Sequence, residues 1–270
     1  MSLEIRSPQN DRVKEVARLL RDAGIRRETG LIVVEGTREL VRAIENGWIP
    51  HEIYVDLDRA GEGARELALG SEGRGVRVYR CLSAAFDKMS YRENPDGVLA
   101  VGPAVGRTLD DLRLAENALV LVAEEVEKPG NLGALLRTAD GAGVNAVIVC
   151  GRGTDLGNPN LVRASIGTLF YLPIAVAASS AAVQWLRERA VRIVTTEPEA
   201  DLPYTSADLT GPVAIVVGSE DEGLSEEWKG KADLRVRIPM RGKNDSLNVS
   251  VAAAVLLYEA VRQRAALRGG

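Results

Sequence analysis

Residue types that carry much enzyme chemistry are scarce in this chain. Its 270 residues include one histidine, two cysteines and 4% aromatic residues. A Ser-His-Asp triad would have to use His51, which more simply fits a turn before a strand. His51, Cys81 and Cys150 lack the spacing of a zinc site, so we expect no metal. Two cysteines also imply no disulfide framework.

Long apolar runs are absent as well. No run approaches the roughly 18–20 residues that cross a bilayer, and the opening MSLEIRSPQND lacks the apolar core of a signal peptide. We therefore expect a cytoplasmic protein without membrane contact. A hydrophobic content of 46% is enough for a sizeable core. The net charge of −4 argues mildly against a nonspecific nucleic-acid binder.

Helices and strands alternate along the chain in two blocks. In residues 1–103, predicted helices separate short strands such as LIVVE (31–35), which indicates a small α/β domain. Residues 104–117 are charged and weakly periodic, as in a linker. From 118 to 270 the strands are continuous apolar runs, including ALVLVA and VAIVVG. Such runs are typical of a mostly parallel sheet with helices on both faces.

Polar segments follow the strands of the second block, where an open parallel sheet binds its ligands. The chain has no G-x-x-x-x-G-K-[ST], and no G-x-G-x-x-G follows the first strand of this block, which disfavours a nucleotide-dependent Rossmann enzyme. The acidic loop SEDEG (219–223) would repel a pyrophosphate. A neutral or cationic ligand fits better.

Three blocks resemble the three motifs of the SpoU family of RNA ribose 2′-O-methyltransferases, in the SPOUT superfamily. They are EKPGNLGALLRTADGAGV (127–144), IVVGSEDEGLS (215–225) and IPMRGKNDSLNVSVAAAVLLYE (238–259). Their order and spacing match the family. The segment LIVVEGTRELVRAI (31–44) resembles, more loosely, the substrate-binding domain of many members, which has a ribosomal-protein L30-like fold. Where relatives often carry Gln before Gly in that domain, this chain has Asp96.

The resemblance implies that the second domain forms a deep trefoil knot and binds S-adenosylmethionine among the knot loops. It implies a homodimer that methylates ribose 2′-hydroxyls in structured RNA, with ribosomal RNA favoured over transfer RNA. A transfer-RNA enzyme and an RNA-binding protein without turnover stay open as alternatives. The implied cofactor contacts are Thr195 or Thr196, Gly218, Ile238, Met240 and Leu247.

The resemblance also implies a catalytic set. Its members are Asn131, Arg137, Glu220, Ser246 and Asn248. Because an arginine keeps its proton, we expect Arg137 to position a phosphate and the hydroxyl rather than act as a base. Alternatives remain, since Asn131 and Ser246 are natural helix N-caps and Arg137 could form a buried ion pair with Glu124 or Glu220.

Basic residues are concentrated near the N-terminus. Residues 6–28 contain seven basic and four acidic side chains. We predict that Lys14, Arg26 and Arg27 contact RNA, with Arg163 in NPNLVRASIG as a further contact. The alternative for all four is an ordinary solvated surface.

Overall fold

The computed structural model describes residues 3–151, 155–219 and 221–268. The chain divides into two compact units, and each has its own sheet. The first unit comprises Met1–Val105 and Asp155–Tyr171, and the second comprises Gly106–Thr154 and Leu172–Gly270. Residues 155–171 therefore interrupt the second unit in sequence and pack with the first. In the described ranges, no helix is both long and apolar enough to span a bilayer.

The first unit is built around a mixed sheet of five described strands in the order β1-β4-β3-β5-β2. Strands β1, β4 and β3 are parallel, whereas β5 runs antiparallel to β3 and β2. The elements of residues 3–103 are β1 (Leu3–Ile5), α1 (Asp11–Arg21), α2 (Ala23–Thr29), β2 (Leu31–Glu35), α3 (Thr37–Glu45), β3 (Glu52–Asp56), α4 (Glu62–Glu72), β4 (Arg77–Cys81), α5 (Ser83–Lys88) and β5 (Val98–Pro103).

Helix α1 shows how local sequence sets this unit. Its apolar positions recur at helical spacing and are buried, as Val13, Val16 and Leu20 illustrate. The helix ends at Arg21, and the side chain of the next residue, Asp22, accepts a hydrogen bond from Gly24 N at 2.7 Å and caps α2. The chain thus continues in a second helix, which contains Arg26 and Arg27.

The second unit contains a sheet of seven described strands in the order β10-β12-β9-β11-β6-β7-β8. All of its strand pairs are parallel. The elements from residue 119 onward are β6 (Leu119–Glu124), α6 (Pro129–Gly141), β7 (Ala146–Cys150), α7 (Pro159–Ser165, in the first unit), β8 (Ile174–Ala177), α8 (Ser179–Glu188), β9 (Arg192–Thr196), β10 (Leu202–Pro203), β11 (Val213–Val217), α9 (Glu226–Lys229), β12 (Leu234–Arg237) and α10 (Val249–Arg268).

This parallel α/β sheet confirms the predicted fold class, while the trefoil knot stays a prediction. The central strands β6, β7 and β11 are buried along their whole length, which matches the continuous apolar runs of the sequence. Helix α10 packs against α6 and β11 through fully buried residues, including Leu256 and Leu257. That packing fixes where α10 begins and therefore where the segment before it must lie.

Candidate active site

A cleft of about 610 Å³ opens at the carboxyl ends of β9, β11 and β12. Its main walls are the segments that leave these strands, namely 196–199, 217–219 with 221–224, and residues between 238 and 249. The first turn of α10 closes one side through Val249 and Ala252. This is the edge at which parallel α/β sheets bind their ligands, because the polar loops converge there.

All but one of the residues expected to contact a cofactor line this cleft. Those that line the cleft are Thr196, Gly218, Ile238, Met240 and Leu247. Thr195 is fully buried in β9 instead, and its hydroxyl donates to Glu197 Oε1 at 2.8 Å. Because neighbouring strand residues face opposite sides of a sheet, only one of the two threonines can face the cleft. Thr196, and not Thr195, is therefore the threonine that can contact a ligand in the cleft.

Thr196 carries a buried hydroxyl in the wall of the cleft. Its oxygen is buried, and it has no hydrogen-bond partner among the residues that the structure describes. Buried polar atoms nearly always find a partner, so an orphaned hydroxyl in a cleft wall indicates a place where a bound molecule completes the bonding.

Gly218 shapes the same wall. A Cβ atom at this position would lie 2.3 Å from the carbonyl carbon and oxygen of Gly223 and 2.6 Å from the nitrogen of Leu224. Two backbone hydrogen bonds between Ser219 and Gly223, of 3.1 and 3.2 Å, hold this turn closed. Glycine is required here because two backbone segments approach each other directly.

The cleft has a negative lining. Its charged residues are one lysine, Lys229, and five carboxylates, which are Glu197, Glu199, Asp221, Glu222 and Asp245. Arg235 neutralises Glu197 through hydrogen bonds of 2.5 to 3.1 Å, and these bonds raise the pKa of the arginine. The remaining excess of carboxylates favours a cation and disfavours a phosphate. Asp221 and Glu222 belong to the acidic loop SEDEG, from which a neutral or cationic ligand is expected, whereas Glu197, Glu199 and Asp245 carry no such signal in the sequence.

Asn131 and Asn248 lie in contact. The Nδ2 atom of Asn248 donates to Oδ1 of Asn131 at 3.3 Å, although 117 residues separate the two along the chain. Asn248 is also a cleft residue, so the contact joins the first motif of the sequence to the rim of the cleft. The two amides form a polar pair that can hydrogen-bond a hydroxyl.

The structure also settles which residues cap the two helices. The side-chain oxygen of Asn248 accepts a hydrogen bond from Ser250 N at 3.0 Å, and α10 begins at the next residue, so Asn248 is the N-cap. The alternative that Ser246 is the cap is therefore wrong. Ser246 is exposed beside the cleft and donates to Asp245 at 3.4 Å. Asn131 lies inside α6, whose N-cap position is Lys128, so a capping role for Asn131 is also wrong.

Arg137 is exposed on α6. Its buried ion pair with Glu124, one alternative from the sequence, is wrong, because Glu124 accepts hydrogen bonds from Ser179 Oγ, Ser225 N and Ser225 Oγ at 2.6 to 2.8 Å. Within the described ranges, Arg137 makes no hydrogen bond or ion pair and does not line the cleft. Glu220, the remaining member of the predicted catalytic set, lies outside the described residues.

The predicted RNA contacts lie in the first unit, and one of them is wrong. Lys14 and Arg27 are exposed on α1 and α2, with Lys14 bound to Asp11 at 2.9 Å, and Arg163 is exposed on α7. Arg26 is only 5% exposed, and its Nε donates to Asp155 Oδ2 at 2.6 Å. A second donor of Arg26 binds the carbonyl of Leu19. A guanidinium buried in this way cannot reach RNA phosphates, and its role is structural.

Neither cysteine is placed for nucleophilic chemistry. Burial raises the pKa of Cys150 to about 12, and the nearby Glu124 adds to the rise. Burial likewise raises the pKa of Cys81 to about 12. Both thiols are therefore protonated at neutral pH. Among the described residues, no group of three or more His, Cys, Asp or Glu side chains is arranged to hold a metal ion.

Comparison with known protein families agrees with this geometry. Residues 118–258 match the SpoU rRNA Methylase family, and residues 10–100 match the MRM3-like substrate binding domain. The chain belongs to the SpoU rRNA methylase family. The resemblance seen in the three sequence motifs is thus confirmed.

Curated relatives of this family member align over most of its length. A 23S rRNA (uridine(2479)-2'-O)-methyltransferase of Streptomyces viridochromogenes is 33% identical, over 95% of this chain and 91% of the relative. The 23S rRNA (guanosine-2'-O-)-methyltransferase RlmB of Nitrosomonas europaea is 37% identical, over 81% of this chain and 86% of the relative.

Solved structures match the fold over nearly the whole chain. A crystal structure of an RNA 2'-O ribose methyltransferase is 41% identical, with a TM-score of 0.82, and covers 97% of this chain and 100% of its own. The AdoMet-bound rRNA methyltransferase from Sinorhizobium meliloti is 30% identical, with a TM-score of 0.88, and covers 96% of this chain and 97% of its own.

Proposed function

We propose that this SpoU family member transfers a methyl group from S-adenosylmethionine to the ribose 2′-hydroxyl of a nucleotide in 23S ribosomal RNA. The observation that carries the proposal is the Asn131–Asn248 contact, which joins the first and third family motifs beside the acidic cleft. The curated relatives that match most of the chain are named as 23S rRNA 2′-O-methyltransferases, which supports this choice of RNA. The match to a substrate-binding domain supports an RNA partner for the first unit.

The charge and the lining of the cleft support S-adenosylmethionine as the methyl donor. This molecule supplies an electrophilic methyl group on a positively charged sulfonium, and the carboxylates of the cleft favour a cation. Thr196 offers a buried hydroxyl that lacks a partner among the described residues, and Gly218 leaves the adjoining backbone free of a side chain. Ile238 and Leu247 add apolar surface on which an aromatic base can pack.

The side chains at the rim have the chemistry to orient a ribose. The amides of Asn131 and Asn248 and the hydroxyl of Ser246 can each hydrogen-bond the attacking 2′-hydroxyl or its neighbour, and alignment of this kind can lower a barrier by several kcal/mol. Arg137 is exposed, and a guanidinium donates hydrogen bonds but accepts none, so the side chain can hold an RNA phosphate or orient the hydroxyl. Its assigned task is therefore to position the substrate.

We also propose that the second units pair as a homodimer and carry a trefoil knot, as the family resemblance implies. Helix α10 supports the dimer, because one face is buried on α6 while Val251, Tyr258 and Leu267 are exposed apolar side chains on the same helix. Sedimentation at micromolar concentration should show a dimer. A species that stays monomeric would contradict the pairing.

The function is tested by methyl transfer in vitro. Radiolabelled S-adenosylmethionine is incubated with the protein and an unmodified 23S rRNA transcript, with bulk transfer RNA in a parallel reaction. We expect label in the transcript alone, in a dinucleotide that resists ribonuclease because its 2′-hydroxyl is blocked. Label in transfer RNA would favour the transfer-RNA alternative. Tight RNA binding without label would favour a protein that has lost turnover.

A further inference from the structure

An aromatic side chain in the first unit is both exposed and held in place. Tyr91 is 48% exposed, yet its hydroxyl accepts a hydrogen bond from Asn160 Nδ2 at 2.8 Å. Its backbone N–H donates to Oε2 of Glu35, also at 2.8 Å. The phenolic oxygen is thus bonded within the first unit while about half of the residue stays exposed.

Glu35 explains why the loop at Tyr91 is ordered. The side chain is only 7% exposed, and among the described residues it has no cationic partner. Instead, Ser90 Oγ donates to Oε1 at 2.5 Å, and Tyr91 N–H donates to the other oxygen. A buried carboxylate is expensive unless its oxygens are hydrogen-bonded, so Glu35 keeps residues 90 and 91 where they are.

The next residue of the loop is fixed as well. The guanidinium of Arg92 donates to the carbonyl of Glu35 at 3.0 Å and to Oε2 of Glu39 at 2.9 Å. Gly36 makes room for it, since a Cβ there would lie 2.3 Å from the Arg92 guanidinium. Residues 90–92 are thus all hydrogen-bonded to Glu35 or Glu39, although the middle residue, Tyr91, is exposed.

Helix α7 carries a cation on the face that contacts Tyr91. Asn160, which binds the Tyr91 hydroxyl, and Arg163 are three residues apart on α7, so they share one face of the helix. Both are exposed. Proteins hold single-stranded RNA by stacking its bases on exposed aromatic rings and contacting its phosphates with cations, and Tyr91 and Arg163 supply one group of each kind.

We propose that Tyr91 is a stacking platform for an unpaired RNA base and that Arg163 holds a phosphate of the same strand. The ligand class follows from the ring and the cation, and from the match of residues 10–100 to a substrate-binding domain. The inference rests on the proposed function only for the choice of 23S rRNA as the RNA. Glu35 and Asn160 act as positioning residues, because they touch Tyr91 and not the base.

The test measures the affinity of each variant for an unmodified 23S rRNA transcript at several salt concentrations. Tyr91→Leu keeps an apolar side chain but removes the aromatic face, and it should weaken binding by roughly 5- to 100-fold. The salt dependence should not change, because no phosphate contact is lost. Arg163→Gln should instead reduce the slope of log affinity against log salt by about one. Tyr171→Leu, at a 39% exposed tyrosine of the same unit, is the matched control and should bind as the wild type does.

Tyr91→Trp separates stacking from a structural role. It restores an aromatic face but not the phenolic oxygen that Asn160 binds, so stacking predicts affinity close to that of the wild type. The proposal is overturned if Tyr91→Leu binds like Tyr171→Leu, or if Tyr91→Trp is as weak as Tyr91→Leu. Methyl transfer by the wild type is scored on the same transcript. If the wild type transfers the methyl group and Tyr91→Leu binds RNA with wild-type affinity, only the stacking role of Tyr91 is refuted. If the wild type binds RNA tightly but transfers no methyl group, only the proposed function is refuted.

Discussion

Replacing Gly218 with alanine tests the cofactor cleft directly. The new Cβ would meet backbone atoms of Gly223 and Leu224 at 2.3 to 2.6 Å, whereas non-bonded carbon atoms normally stay about 3.5 Å apart or more. The neighbouring segment must therefore move by about 1 Å. It cannot do so freely, because the turn is closed by the two backbone hydrogen bonds between Ser219 and Gly223.

The size of the effect follows from those bonds. If the shift breaks both hydrogen bonds, the closed turn becomes less stable by about 2 kcal/mol, since each bond contributes roughly 1 kcal/mol net. A ligand that binds only the closed shape must restore it on binding. The affinity for S-adenosylhomocysteine should then fall about 30-fold. The melting temperature should fall too, since overpacking costs about 1–3 kcal/mol.

Calorimetric titration with S-adenosylhomocysteine measures this change, and Gly211→Ala is its matched control. Gly211 precedes β11 while Gly218 follows it, and a Cβ at Gly211 would meet nothing within 4 Å. Gly211→Ala should bind as the wild type does. If a folded Gly218→Ala variant also binds with wild-type affinity, the cofactor does not occupy this cleft, and the reasoning from the close backbone approach is refuted.

Further predictions concern catalysis, RNA binding and pH. Arg137→Ala should change the unfolding free energy by no more than about 0.5 kcal/mol because the side chain is exposed. It should nevertheless slow single-turnover methyl transfer about 100-fold, and a wild-type rate would remove Arg137 from the site. Replacing Lys14 and Arg27 together with glutamine should reduce the salt slope of RNA binding by about two, and an unchanged slope would make them solvated surface. Hydrogen bonds from Arg262 lower the pKa of Glu259 from its usual 4.5, so the stability they provide is complete above that value and is lost as the pH falls through the lower, folded pKa. Urea unfolding of Glu259→Gln should show a weaker acid dependence than the wild type, and equal curves would contradict the assignment.

Much of the fold could be predicted because its signals are local. The apolar runs of β6, β7, β9 and β11 indicate buried parallel strands, and the structure places strands at those positions. The break between α1 and α2 is hard to predict from the sequence, because it occupies a single residue, Asp22. Strand β8 is equally hard to predict, since at four residues it is too short for a periodic signal.

Family motifs indicated which site residues should come together, but burial and pairing depend on distant partners. The contact of Asn131 with Asn248 spans 117 residues, and only the resemblance could suggest it. Thr195 and Thr196 are the same residue type in adjacent positions, and only the orientation of β9 decides which one faces the cleft.

Arg26 and Arg27 also show that the burial of a side chain cannot be predicted from its neighbours in sequence. They are adjacent, carry the same charge and follow a basic helix, so the sequence predicts one role for both. In the fold, one is buried against Asp155, which lies 129 residues away, and the other is exposed. Asp155 belongs to the segment that returns to the first unit, as does Asn160, which fixes Tyr91. The burial of Arg26 and the anchoring of Tyr91 cannot be predicted from the sequence, because each depends on a partner in residues 155–171 that is distant along the chain.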